Sequence, residues 1–193
     1  MYYIIKNGQI VDGLKHPPFH GDILIRDGII QEIAEHIEIS ADFPKENILD
    51  ANDGYVTPGF IDIHRHGDWQ ALQHGDDELL NRQGLTSVVN GNCGQIYSFL
   101  GSVTGKLDQD PLPFMESMTN YMDALSKTDR SVNTGMLAGN GTIRAAVKGY
   151  ASGKLSDTET HQVWKTLEES LSAGSLGVSL GIAYAPEFEY DRD

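Results

Sequence analysis

Beyond Pro58 the chain repeats one pattern, and that pattern limits its fold more than any other feature. A short apolar run ends in glycine, polar or histidine residues, and a helix-compatible stretch follows. The runs are GFIDIH (59–64), TSVVNGN (86–92), VNTGMLAGN (132–140) and SLGVSLGI (175–182). Between them lie DDELLNRQG, then PFMESMTNYMDALSK with Phe114, Met118, Tyr121, Met122 and Leu125 at helical spacing, then SDTETHQVWKTLEESLSAG. In the last of these, Ser156 and Glu159 form a capping box, Val163, Leu167 and Leu171 form a stripe, and Gly174 supplies the stop. Strand alternating with helix is the signature of parallel βα units. Strands that are apolar almost throughout suit a sheet covered on both faces.

Four such units, spaced about 39 residues apart on average, make half of a closed (β/α)8 barrel, which needs eight units and roughly twice this length. The expected fold is therefore α/β: the first half of a TIM-type barrel, with the chain being the front part of a larger protein. A half-barrel that dimerises, or an open α/β domain, satisfies the same pattern. Residues 1–57 read differently. YYII–Asn7-Gly8–QIV, DILIRDGIIQEIA around Asp27-Gly28 and ILDANDGYVTP are three hairpin-like units, since Asn-Gly and Asp-Gly accept the positive φ of primed turns. They make a small β layer that needs a partner surface. The expected boundary puts this layer at 1–57 and the βα units at 58–193.

Charge and cysteine usage narrow the function classes. Twenty-eight acidic against 14 basic residues give a net charge of -14, which disfavours a nucleic-acid or anionic-membrane surface. A single cysteine excludes an internal disulfide framework. The opening MYYIIKNGQIVDG lacks a signal-peptide pattern, and no apolar run approaches the ~18–20 residues of a membrane span. The expectation is a soluble cytoplasmic protein acting on a small molecule, with homo-oligomerisation left open.

The chemistry-bearing residues gather at the ends of the apolar runs. In PGFIDIHRH, His64 and His66 are two apart on a strand, so their imidazoles share a face and can grip one divalent cation. Barrel active sites lie at this C-terminal end of the strands. GLTSVVNGNCG places Cys93 at the same end, where a thiolate would be a soft ligand able to share or bridge metals. A small buried thiol is the alternative reading. Arg144, in MLAGNGTIR, can clamp a substrate carboxylate or simply sit solvated at a helix start. Gly139 and Gly141 there permit close backbone approach. Ser179 and Tyr184 fall at or just past the fourth run, with Tyr184 either a substrate hydrogen-bonding group or an exposed loop residue. Asp68 suits an orienting task beside the histidine pair. His16, His20, His36, His74 and His161 occupy polar or helical surroundings and receive no role.

PGFIDIHRHGD resembles the first-strand signature of the amidohydrolase superfamily, metal-dependent (β/α)8 hydrolases with a small β-sandwich beside the barrel. The later motifs resemble the D-aminoacylases (N-acyl-D-amino-acid deacylases) within it. GLTSVVNGNCG is similar to G-[IL]-T-[TS]-V-V-x-G-N-C-G, MLAGNGTIR to L-V-G-H-G-T-[LI]-R, and AGSLGVSLGIAYAP to A-G-A-x-G-x-S-x-G-L-x-Y-x-P. The resemblance implies a zinc-dependent hydrolase acting on the amide bond of N-acyl-D-amino acids, with one or two Zn2+ per full-length subunit. It implies His64, His66 and Cys93 as metal ligands and Tyr184 near substrate. The absence of lysine from SLGVSLGI agrees with a cysteine ligand in place of a carboxylated lysine. Asn140 departs from the pattern, standing where the family commonly has His. The remaining two histidine ligands and the general-base Asp are implied beyond residue 193. Two other readings are a cyclic amidohydrolase of the dihydroorotase or hydantoinase kind, which shares the first-strand motif, and a non-catalytic barrel acting as an assembly module.

Overall fold

The structure is a computed structural model that describes residues 2–73, 77–96, 117–183, 185 and 187. The chain is α/β with mixed sheets and divides into two compact units, Met1–Pro58 and Gly59–Asp193. Among the described residues no helix is long and apolar enough to cross a membrane.

The first unit is a five-stranded sheet. β1 (Tyr2–Ile10) pairs antiparallel with β2 (Phe19–Arg26), which pairs antiparallel with β3 (Ile29–Ala34). On its other edge β1 runs parallel to β4 (Ile48–Asp50) and then to β5 (Tyr55–Val56). A 3-10 turn, Lys45–Asn47, leads into β4. Ile4, Ile10, Ile23 and Ile37 form the buried apolar set.

One of the three expected hairpins forms. Asp27 and Gly28 both take positive φ (51° and 79°) and join β2 to β3, with Arg26 opposite Ile29. At Asn7-Gly8 the chain does not turn back; β1 continues through it. Lys6 and Asn7 together oppose the single Asp22, so Asn7 (φ 57°) makes a β-bulge. Asp22 holds that bulge: its carboxylate accepts from the Asn7 and Ile37 amides at 3.0 Å each and pairs with Lys6 Nζ at 3.3 Å. The Asn52-Asp53 loop is likewise not a hairpin. Asn52 and Asp53, with φ of 49° and 60°, bend the chain beside the bulge so that β4 and β5 can both follow β1.

The second unit carries parallel strands in chain order. β6 (Phe60–Asp62), β7 (Leu85–Asn90) and β8 (Asn133–Met136) form one sheet. β9 (Ala138–Gly139) pairs with β10 (Val178–Ser179) in a second. Only Leu137 separates β8 from β9, and its amide bonds the Asn90 carbonyl while the Leu176 and Ala138 amides bond the Met136 and Gly177 carbonyls. The segment 133–139 thus bridges β7 and β10.

Among the described residues the helices are α1 (Asp68–Leu72), α2 (Asp77–Arg82), α3 (Met118–Leu125), α4 (Asn140–Lys148) and α5 (Asp157–Ser172). The five-residue α1 is too short to show a period in sequence. The capping box at Ser156 and Glu159 forms. Val163 and Leu167 pack with Ala138 and Ile143, whereas Leu171 faces outward and Ser170 is buried in its place on the helix. Tyr121 and Met118 of α3 pack against Ile96 and Met136; Phe114, expected on the same helix, lies outside the described residues.

Candidate metal centre

β6 ends at Asp62, whose carboxylate accepts the His64 amide at 3.0 Å, and both histidines lie past the strand, on a segment that bends at His64, rather than on the strand itself. The His64 and His66 rings stand 5.9 Å apart, centre to centre, at 67°. Cys93 comes from the loop after β7, and its Sγ lies 3.2 Å from His64 Nε2. One ligating atom from each of His64, His66 and Cys93 falls within 4.8 Å of the other two. Tetrahedral Zn2+ with N and S bonds of 2.0–2.3 Å sets its ligand atoms about 3.5 Å apart. Two imidazoles and a thiol, two exposed and one half-buried, are a donor set suited to a borderline-soft cation.

The cysteine is held by its loop. Gly91, Cys93 and Gly94 all take positive φ, at 78°, 55° and 69°. For Cys93 that conformation costs on the order of 1 kcal/mol and persists only where its surroundings dictate it. Asn92 donates to the Val89 carbonyl at 2.9 Å and to the Arg65 carbonyl at 3.3 Å, tying the cysteine loop to the residue between the two histidines. Buried Asn90 accepts the Gly67 amide at 2.7 Å, a second tie between the same segments. Ser179 Oγ accepts the Gly94 amide at 3.0 Å and donates to the Gly91 carbonyl, so β10 grips the loop on both sides of Cys93. No role was expected for Asn90 or Asn92. Their only signal in sequence is a polar residue closing an apolar strand.

The other expected site residues fare differently. Arg144 is not placed as a clamp. It is 1% exposed, and its guanidinium donates to the carbonyls of Gly149, Ala151 and Gly153 at 3.1–3.3 Å, stapling the turn after α4. The apolar side of α4 turns the arginine inward, and the loop carbonyls satisfy it. Asp68 is wholly buried in the first turn of α1, and its own carbonyl accepts the Tyr121 hydroxyl at 2.9 Å. Tyr184 lies outside the described residues. The glycines of MLAGNGTIR do allow close approach, but by protein: a Cβ on Gly139 would sit 2.8 Å from the Gly94 carbonyl.

Known proteins share this arrangement of segments. The profile described as the amidohydrolase family matches residues 47–180. The chain belongs to the amidohydrolase family. It is 33% identical to an N-acyl-D-aspartate deacylase of Alcaligenes xylosoxydans xylosoxydans over 95% of this chain and 37% of that protein. It superposes with a TM-score of 0.81 and 28% identity on an N-acyl-D-glutamate deacylase from Bordetella bronchiseptica, complexed with zinc and a phosphonate inhibitor that mimics the tetrahedral intermediate. That likeness covers 98% of this chain and 40% of the solved one. A D-aminoacylase structure described by its binuclear metal center, with one-metal activation and second-metal attenuation, gives a TM-score of 0.77 at 27% identity, over the same shares of the two chains. This amidohydrolase chain thus spans roughly two fifths of the length of the relatives it matches.

Proposed function

We propose that the full-length protein hydrolyses the amide bond of N-acyl-D-amino acids, with Zn2+ held in part by His64, His66 and Cys93. The convergence of two imidazoles and a thiol within 4.8 Å at the ends of neighbouring parallel strands carries this reading. The likeness to deacylases of N-acyl-D-aspartate and N-acyl-D-glutamate supports the substrate class and the D configuration. The four parallel strand segments in chain order support the first half of a (β/α)8 barrel, and the sheet of the first unit supports part of a β-sandwich.

His64 and His66 would offer imidazole nitrogens, and Cys93 a thiolate able to serve one metal or bridge two. When bound, the cation supplies an activated water near neutral pH and a Lewis-acid contact for the acyl carbonyl. The rest of the work on this chain is positional. Asn90 and Asn92 fix the cysteine loop against the histidine segment. Asp68, buried two residues beyond His66 with its carbonyl bonded by the Tyr121 hydroxyl, would have an orienting role. Arg144 holds its own loop and leaves recognition of the substrate carboxylate to other groups.

The test uses the full-length protein with N-acetyl-D-amino acids, their L enantiomers, dihydroorotate and a hydantoin, together with metal analysis. The expected result is release of free D-amino acid by a protein holding one or two zinc ions per chain. In the double variant His64→Ala/His66→Ala both activity and zinc fall away. An unchanged zinc content in that variant would remove the metal assignment. Ring opening of hydantoin or dihydroorotate without deacylation would move the protein to the cyclic amidohydrolases. A wild-type protein with no stoichiometric zinc would leave the non-catalytic module.

A further inference from the structure

Glu187 is a carboxylate in an expensive place. It is 6% exposed, and burying an ionised carboxylate costs several kcal/mol unless donors answer it. Its two oxygens find donors on two different loops. Oε1 accepts from Asn140 Nδ2 at 2.6 Å, at the start of α4, and Oε2 accepts the Gly181 amide just past β10. The same Oε2 fills the space beside the third loop, since a Cβ on Gly94 would lie 2.2 Å from it. Gly141 presents the same face, with a Cβ there falling 3.2 Å from Oε2. The carboxylate therefore sits where the segments after β7, β9 and β10 meet. Cys93 lies at that meeting point, its carbonyl packed so closely on Gly181 that a Cβ would come within 2.0 Å of it.

We infer that the Asn140–Glu187 hydrogen bond is a positioning device that sets the Cys93 loop for metal ligation. The inference rests on the reading of His64, His66 and Cys93 as a metal site. Neither residue of the pair is bonded to the sulfur; Asn140 holds the carboxylate, and the carboxylate acts through the backbone of Gly94 and Gly181. The pair also accounts for the amide at position 140, where the D-aminoacylase pattern commonly has His. Asn140 can donate to the carboxylate without carrying a titrating charge.

The polarity of the pair supplies its test. Asn140→Asp sets two carboxylates against each other and removes the donor. Glu187→Ala removes the acceptor of both the Asn140 amide and the Gly181 N–H. Glu187→Gln keeps the contact, because the Asn140 amide can rotate to present its oxygen and the Gln oxygen still accepts the Gly181 amide. The double variant Asn140→Asp/Glu187→Gln restores a donor–acceptor pair with its polarity reversed. Each full-length protein is loaded with Co2+ for its thiolate-to-cobalt charge-transfer absorption, and zinc affinity is measured by chelator competition. Circular dichroism checks the fold.

The expected result is a zinc affinity lowered about 10–100-fold and a weakened or shifted thiolate band in Asn140→Asp and Glu187→Ala, in the range for lost outer-shell partners. Glu187→Gln and the double variant return to within about threefold of wild type. Should Asn140→Asp fail to fold, the contrast between Glu187→Ala and Glu187→Gln decides alone. Wild-type affinity and spectrum in the folded Asn140→Asp and Glu187→Ala proteins would overturn the inference while leaving the metal site standing. So would a double variant no better than Asn140→Asp. A wild-type protein lacking any cobalt–thiolate band that Cys93→Ser removes would overturn the metal reading itself.

Discussion

Gly181→Ala puts the packing around the cysteine loop to a direct test. The added Cβ would lie 2.0 Å from the Cys93 carbonyl oxygen and 2.8 Å from its carbon, both backbone atoms with no rotamer to retreat into. Ordinary non-bonded contact begins near 3.5 Å, so the two segments must separate by on the order of 1 Å. The loop has little freedom to absorb this quietly. Ser179 bonds it on both sides of the cysteine, and the Thr142 amide bonds the Gly94 carbonyl at 2.9 Å. The displacement therefore passes to Cys93 Sγ, and a metal site tolerates ligand-distance errors of only about 0.2 Å. A misplacement of this size is worth about 10²-fold, so zinc affinity should fall by that factor, about 3 kcal/mol. Gly177→Ala, on the same stretch, is the control: its Cβ would meet nothing nearer than Leu137 Cδ2 at 3.6 Å, an ordinary contact. Chelator competition on the two full-length variants reads the difference. Equal zinc affinity in folded Gly181→Ala and Gly177→Ala proteins would refute the argument that the cysteine is placed by backbone packing.

Two further outcomes follow from groups away from the candidate metal centre. Arg144→Met strips three loop carbonyls of a charged donor and should lower stability by about 2–3 kcal/mol in urea titration, with zinc content of the folded protein unchanged; loss of substrate affinity without loss of stability would return Arg144 to a binding role. Burial pushes the Asp22 carboxyl up, but the Ile37 and Asn7 amides and the Lys6 ammonium outweigh it and hold the group below its ordinary 3.8. A depressed folded pKa adds stability that is present above that value and lost as pH falls through the folded pKa. The stability gap between wild type and Asp22→Asn should thus be widest near neutrality and close in acid below 3.8. A gap that stays constant into acid would show that Asp22 contributes through shape alone.

Local rules reached the parts of this molecule that local forces decide. The capping box at Ser156 needs only residues three apart, and it forms. The Asp27-Gly28 turn joins neighbouring strands, and its positive φ values follow from the residue types. Asn7-Gly8 carries the same local preference, and Asn7 does adopt positive φ, yet the result is a bulge. Asp50, 43 residues on, accepts from the Asn7 side-chain Nδ2, and β4 and β5 along the other edge of β1 favour a strand that keeps going. Spacing nominates His64 and His66 as a pair, but both lie past the end of β6, and their rings come within 5.9 Å outside any strand pairing.

The sulfur is a different matter, since its approach to His64 spans 29 residues and depends on three loops closing on one another. Gly94, Gly139 and Gly181 make that closure sterically feasible; the sequence marks Gly139 as a point of close approach, whereas Gly94 and Gly181 look there like any loop glycines. Asn140 and Glu187 stand 47 residues apart, and nothing in the local sequence couples an amide at a helix start to a carboxylate in the segment past β10. Arg144 shows the same limit in reverse. A charged residue near strand ends suggested a ligand, while the acceptors that claim it are carbonyls five to nine residues away, on a turn whose path only the folded chain reveals. Residue type and period can nominate a ligand, but whether its charge is free to meet a substrate depends on which backbone groups reach it first.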